Sequence, residues 1–315
     1  MGTQHSMESP VLKPLTELSL DWDLFHTQAD AHLGQVYVRL RADVDLQAYW
    51  KAGWRLSGQL YGPHCSRAHT LPAKYTLVDQ GSGSTLLARA NLPDPCFWSA
   101  EIPALYQVTL QLTGPGQPQQ KQASFGMRSI PIKGRQFFWN TEPWILKATS
   151  VSNLSDWTAD QCRQQSLVLI VDEVEESLLQ QASQLGTWIV ASVPGNEADI
   201  CQQLVELARW PAVCMAVIDG TISDTERLRF AAPNLILGQW IRQQADLPAA
   251  DWSQFIFCDF TTPEEFSPCL EGCSLPVVAV RSVNTMRSVE EAVQACQELE
   301  NDLAKAAELA GYVII

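Results

Sequence analysis

Four acidic residues stand where chemistry could be done. Asp172 and Glu173 follow one short apolar run, Asp219 follows a second and Asp259 a third. Carboxyls collected at strand ends supply general acids, general bases and nucleophiles when two of them face one another. Asp219 with Asp259 or Asp172 would be such a pair. The blander reading, preferred here, is an ion pair between Asp219 and Arg281, a cation that closes another apolar run. Trp240 ends a further run and could stack on a flat ligand face; a buried or capping ring is the reading taken. Other chemistries are poorly served. No Walker A motif, glycine-rich dinucleotide fingerprint or G-x-S-x-G occurs. All five histidines (5, 26, 32, 64 and 69) precede residue 70, so histidine base chemistry and His-ligated metal are excluded from the later part of the chain. Cys269 and Cys273 lack both CxxC spacing and a neighbouring histidine, and no metal or cofactor is expected.

The elements that must position these residues fall into two series. From Leu18 to Ile130 the chain alternates apolar and polar residues in short segments, at 36–46, 54–62, 73–80, 84–92 and 105–114. Turns such as Gly81-Ser-Gly83 separate them. Such spacing predicts an immunoglobulin-like β-sandwich. After Trp144 near-continuous apolar runs recur at 144–151, 166–171, 187–193, 212–218, 234–240, 254–260, 276–280 and 312–315, as in parallel strands covered on both faces. Helical patterns intervene. Val174, Leu178, Ala182 and Leu185 share one face, with Gly186 as a stop; Ile200, Leu204 and Leu207 mark another helix; Ala292, Cys296, Leu299, Leu303 and Ala310 mark a third. Eight strands alternating with helices predict a compact TIM (β/α)8 barrel, incomplete in that the chain stops on strand eight without a closing helix. Arg242 to Ser253 leaves little room for a helix. The expected division is a loose leader at 1–15, the sandwich at 16–130, a seam at 131–143 and the barrel at 144–315. Either the chain was cut at Ile315 or the natural protein continues past it.

Composition narrows the partners. The 315 residues suffice for two domains at roughly 150 residues each. A formal net charge of −14 opposes binding to phosphate backbones or an anionic membrane surface, so nucleic acid is not expected. No run nears the roughly 18 to 20 apolar residues that would span a bilayer, so no membrane insertion is expected, and the N-terminus lacks the pattern of a signal peptide. Nine cysteines, mostly within apolar runs, read as free buried thiols of a reducing, cytoplasmic compartment.

Three segments carry a resemblance. Phe97-Trp-Ser-Ala-Glu-Ile-Pro-Ala-Leu-Tyr106 is similar to a "WSPENPYLY" segment, Phe125-Gly-Met-Arg128 to "FGFR", and Phe138-Trp-Asn-Thr-Glu-Pro143 to "F-x-L-N-G-x-P". In this order and spacing they resemble glycoside hydrolase family 2, the β-galactosidase and β-glucuronidase family, over roughly residues 36 to 151. Their jobs are read as structural. Trp98 and Tyr106 supply buried area with polar tips, Arg128 takes a partner near the domain boundary, and Asn140 makes the turn into barrel strand one.

The resemblance also implies where catalysis belongs. A retaining glycosidase needs two carboxylates about 5 to 5.5 Å apart. The segment at 211–221 is similar to the family's "HPSIVMWSLGNE", which puts the acid/base at Thr221 and its preceding Asn at Gly220. The segment at 275–283 resembles "KPVIVSEFG", which puts the nucleophile at Arg281, and no acid occurs between Leu275 and Arg287. A threonine hydroxyl cannot protonate a leaving oxygen near neutral pH, and an arginine replaces the required anion with a permanent cation. The family's "RGVN-H" reads Lys147-Ala-Thr-Ser-Val-Ser152 here. The expectation is a non-catalytic homologue that binds or scaffolds, with carbohydrate or another protein as partner. Two alternatives stand beside it: an O-glycosyl hydrolase with relocated carboxylates, and a carbohydrate-binding module using Trp240 or aromatics of the sandwich.

Overall fold

Alternating apolar residues build the first domain. In this computed structural model, described for residues 13–27, 29–151, 158–172, 175–242, 248–259, 272–283, 286–304 and 308–315, seven antiparallel strands form one continuous order, β1-β2-β5-β4-β3-β6-β7. They are β1 (Leu20–His26), β2 (Leu33–Ala42), β3 (Arg55–His64), β4 (Ala73–Ser82), β5 (Leu86–Pro93), β6 (Leu105–Thr113) and β7 (Gln119–Phe125). A short helix, α1 (Gln47–Lys51), joins β2 to β3. Strand β6 shows the cause of the sheet's two faces: Tyr106, Val108, Leu110 and Leu112 are buried while Gln107, Gln111 and Thr113 are exposed. These residues meet Leu56, Leu60 and Val38 in the sandwich core, and the Tyr106 hydroxyl accepts the Cys96 N–H at 3.1 Å.

The seam is a second small sheet. Strands β8 (Ile132–Lys133), β9 (Gln136–Trp139) and β10 (Glu142–Trp144) are antiparallel. Asn140 (φ 49°) and Thr141 (φ 71°) turn β9 into β10. The apolar run at 144–151 is therefore not one strand. Trp144 closes this hairpin, and the barrel begins at Leu146. The seam's aromatic side chains form a floor under the barrel. Trp188 packs on Trp98, Trp139 and Trp144 at 4.7, 5.3 and 6.1 Å, and Phe137 meets Phe255 inside the barrel at 5.6 Å.

Eight parallel strands close that barrel: β11 (Leu146–Ser150), β12 (Leu167–Val171), β13 (Ile189–Pro194), β14 (Val213–Asp219), β15 (Ile236–Ile241), β16 (Phe255–Asp259), β17 (Val277–Arg281) and β18 (Gly311–Ile314). Strand β18 pairs with both β17 and β11. Burial of every β12 residue matches the unbroken apolar run in its sequence. The described helices around it are α2 (Ala159–Gln164), α3 (Glu176–Leu185), α4 (Glu197–Ala208), α5 (Thr225–Ala231) and α6 (Val289–Leu303). Ile200, Leu204 and Leu207 are buried on α4, as are Ala292, Cys296, Leu299 and Leu303 on α6.

Two helical assignments change. On α3 the buried residues are Leu179, Ala182 and Ser183, and Leu185 is 43% exposed. Trp98 fixes this rotation, because its Nε1 donates to the Ser183 carbonyl at 2.7 Å. Val174 lies outside the described residues. Ala310 is buried but belongs to the approach to β18, where its N–H donates to the Val277 carbonyl at 2.7 Å. Between Arg242 and Ser253, residues 248–253 are described and carry no helix.

The Phe125–Arg128 segment shows why the two domains meet as they do. Phe125 and Met127 lie in the sandwich core. A Cβ on Gly126 would sit 2.7 Å from Pro211 of the barrel. Arg128 crosses the boundary, donating from Nη1 to the Trp210 carbonyl at 2.9 Å and from Nη2 to the Asn234 carbonyl at 3.3 Å.

Gly186 yields a first test. It ends α3 at φ 80°, and an added Cβ would lie 2.2 Å from the Ala100 carbonyl oxygen. Gly186→Ala meets both the left-handed penalty and a backbone clash, so urea denaturation should show a loss of about 3 kcal/mol.

Candidate functional site

The mouth of the barrel follows from strand alternation. In β16, Ile256 and Cys258 pack outward with Ile241, Val277 and Leu299. Phe255 and Phe257 therefore point inward, and Asp259 shares their side. In β15, Gly238, Trp240 and Arg242 face inward by the same rule. Gly238 has to be glycine, because a Cβ there would lie 2.3 Å from the Phe255 ring. A column of rings rises from the seam: Phe137 on Phe255 at 5.6 Å, Phe255 on Phe257 at 5.6 Å, and Phe257 on Trp240 at 5.7 Å. Arg242 caps the column, its guanidinium 4.2 Å from the Trp240 ring centroid.

Arg242 also gathers the acids. Its Nη2 lies 2.8 Å from Asp219 Oδ2, and its Nη1 lies 3.6 Å from Asp259 Oδ2. The structure thus brings together two of the four candidate acids, with a cation between them. Asp172 is exposed and lines a different cleft, of about 340 Å3, with Glu176, Glu206 and Arg209. Glu173 lies outside the described residues. Partial burial raises the Asp259 carboxyl above the usual aspartate range, and Arg242 opposes that rise.

The expected pair between Asp219 and Arg281 does not form. Asp219 is taken by Arg242, while Arg281 lies 2.9 Å from Asp302 on α6. The reason is again alternation. Val278 and Val280 belong to the barrel's interior cluster, whereas Val277 and Ala279 pack outward, so residue 281 faces the helical layer. The sequence aligned Arg281 with a catalytic carboxylate, but its side chain is turned away from the mouth.

The loop after β14 is tied down from outside. Thr221 is exposed. A Cβ at Gly220 would lie 2.7 Å from the Gly195 carbonyl oxygen, so this backbone excludes the asparagine that the resemblance implies there. Glu197 of α4 accepts the Ser223 N–H at 2.8 Å, the Ser223 hydroxyl at 2.6 Å and the Asp224 N–H at 3.3 Å. These hydrogen bonds, the Ser223 hydroxyl first, hold the Glu197 carboxyl below its ordinary range.

Trp240 is 8% exposed, and its Nε1 is buried without a partner among the described residues. With Phe257 at its edge and Arg242 on its face, the ring offers no free surface for stacking on a ligand. Arg242 is the mouth residue that sequence reasoning missed. The signal was its place two residues beyond Trp240, on the same side of the strand.

Of the nine cysteines eight are described, and five of these, Cys162, Cys201, Cys214, Cys258 and Cys296, are buried. Cys269 lies outside the described residues. Among the described residues no helix is long and apolar enough to cross a membrane, and no three His, Cys, Asp or Glu side chains are grouped to hold a metal.

Comparison with known proteins places this geometry. Residues 21–128 match the family model for glycosyl hydrolases family 2. A 66-residue stretch is 36% identical to the beta-galactosidase of Oenococcus oeni (strain ATCC BAA-331 / PSU-1), covering 20% of this chain and 6% of that protein. Three solved structures share the fold at 12% identity. Bacteroides uniformis beta-glucuronidase aligns with a TM-score of 0.60 over 93% of this chain and 45% of its own. Dictyoglomus thermophilum beta-D-glucuronidase gives 0.60, over 95% and 62%. Bifidobacterium dentium beta-glucuronidase, solved in complex with coumarin-3-O-glucuronide, gives 0.61, over 93% and 59%. The chain thus spans less than two thirds of each of these relatives. The sandwich-plus-barrel fold is borne out, and the family resemblance is borne out over residues 21–128, which hold the segments 97–106 and 125–128.

Proposed function

We propose that this relative of glycosyl hydrolases family 2 is a non-catalytic member, whose sandwich and barrel serve binding or scaffolding. The observation that carries the reading is Arg242 set between Asp219 and Asp259 above the Trp240 ring. A retaining mechanism needs one carboxyl protonated, one ionised, and about 5 Å of open space between them for the sugar carbon. Here a guanidinium fills the space between the two acids. The same guanidinium opposes the rise that burial gives the Asp259 carboxyl. Thr221 and Arg281 supply no substitute, the first for want of acidity and the second because it is a cation facing outward.

The test is turnover of aryl β-galactosides and aryl β-glucuronides by the full chain. Rates should equal the buffer background, and Asp219→Asn and Asp259→Asn should leave them there. Turnover that either substitution abolishes would refute the proposal. One observation favours a second reading, an active hydrolase with relocated acids: burial raises the Asp259 carboxyl, the direction a general acid requires. Under that reading Asp259→Asn removes the activity and Asp172→Asn does not, because Asp172 lines a separate cleft.

A further inference from the structure

The sandwich is not a closed barrel. Among the described residues strand β1 pairs only with β2 and strand β7 only with β6, so these two strands are the edges of the seven-stranded order. A cleft of about 700 Å3 lies along the β1 edge, lined by all six residues from Leu20 to Phe25 and by Lys121 of β7. Its opposite wall comes from the barrel, through Gln202 and Val205 of α4 and Arg227 and Phe230 of α5. Consecutive strand residues point to opposite faces. A cleft touched by six in a row therefore runs along the edge of the strand, where every second residue turns its amide and carbonyl away from β2.

We infer that this cleft takes an extended peptide as an added strand on β1, with apolar residues alternating with acidic ones. The alternation follows from the two faces of β1. Leu24 lies in the sandwich core with Leu20 and Trp22 packed against it, and side chains beside this row have to be apolar. Asp21, Asp23 and Phe25 occupy the other face, paired across to Arg41, Arg39 and Tyr37.

The acidic preference follows from charge. Arg39, Arg41, Lys121, Arg209 and Arg227 line the cleft with Asp21, Asp23, Asp199 and Glu206; Arg209 is paired with Glu176 outside the cleft at 3.3 Å, and among the described residues Lys121 and Arg227 stand in no ion pair. Asp23 is already neutralised by Arg39 and Arg41, at 2.9 and 2.7 Å. Lys121 has the same strand parity as Ala123 and Phe125, which pack into the sandwich, so its ammonium is directed at the gap between the two edges. An acidic side chain on the added strand is the group that fits there. Asp21 and Glu206 in the same lining exclude a continuous acidic run and select acids spaced by apolar residues. An inward lysine also keeps an edge from pairing indiscriminately, which makes the cleft selective as well as receptive.

The site shares no residue with the barrel mouth, so it stands or falls independently of the hydrolysis assay. The probe is a fluorescein-labelled octapeptide alternating valine with glutamate, titrated by anisotropy against the full chain. Its counterpart alternates valine with lysine. The glutamate peptide should bind, slow hydrogen exchange at the amides of Leu20–His26, and lose about tenfold in affinity in Lys121→Glu/Arg227→Glu. The variant's thermal melting point should match that of the parent, since both substituted side chains lie at the cleft rather than in a core. Absence of binding, equal binding of the lysine peptide, an unchanged affinity in the variant, or protection outside β1 would each overturn the inference.

Discussion

Trp98→Ala should destabilise the protein by about 4 kcal/mol. The indole is fully buried between the sandwich and the barrel. Its ring meets Trp188 edge-on at 4.7 Å, and its Nε1 donates to the Ser183 carbonyl of α3 at 2.7 Å. Truncating a buried tryptophan or phenylalanine costs about 3 to 5 kcal/mol in lost transfer energy and cavity formation. It would also leave the Ser183 carbonyl unpaired, an effect of about 1 to 3 kcal/mol that overlaps the first. Trp98→Phe keeps most of the ring and removes only the donor, so it should lose about 1 to 2 kcal/mol. Urea denaturation followed by circular dichroism separates the two variants. A loss below about 1 kcal/mol in Trp98→Ala would show that the indole does not hold the domains together.

The second large effect is a dependence on pH. His26 is buried beside Arg128, and its pKa is lowered from 6.5 to about 4, chiefly by burial and then by the arginine's charge. The ring is held as the neutral Nδ1–H tautomer, with Nδ1 donating to the Thr27 carbonyl at 2.8 Å and Nε2 accepting the Arg128 N–H at 3.4 Å. Protonation would destroy the acceptor and place a cation against a guanidinium. The unfolded chain binds this proton at higher pH than the folded one, so the histidine's contribution is complete above pH 6.5 and is lost as pH falls toward 4. Linkage gives a loss of about 2 kcal/mol at pH 5 and about 3 kcal/mol at pH 4. His26→Phe should flatten the profile between pH 7 and 5, where carboxylates add little. A parent profile that is level over this range would contradict the burial argument.

Arg128 explains why its motif was legible in sequence while its role was not. The resemblance marked the residue, but its partners, the carbonyls of Trp210 and Asn234, lie 82 and 106 residues away. A guanidinium bound only to backbone leaves no complementary acid for a reader of sequence to find. Burial without an acid partner also lowers its pKa to about 10. Arg39 also reaches from the sandwich to the barrel, lying 3.5 Å above the Phe230 ring and donating to the Phe230 carbonyl at 3.1 Å, but unlike Arg128 it has an acid partner, Asp23, at 2.9 Å.

The sequence by itself determined the two architectures. Alternation in segments such as 105–114 can satisfy only a sheet with one buried face, and unbroken apolar runs such as 166–171 can satisfy only strands covered on both faces. It also determined that carboxylates are missing at 221 and 281, because residue identity alone decides proton affinity there. The tertiary structure decided which charges meet. Asp219 and Asp259 converge on Arg242 because strands four, five and six of the barrel are neighbours in register. Arg281 turns outward to Asp302 because the side-chain period of a strand is two and Val280 holds the inward position. One residue of parity separates the mouth of a barrel from its outer wall. An apolar run buried on both faces carries no trace of that parity, so the pattern of side chains along β17 could not reveal it.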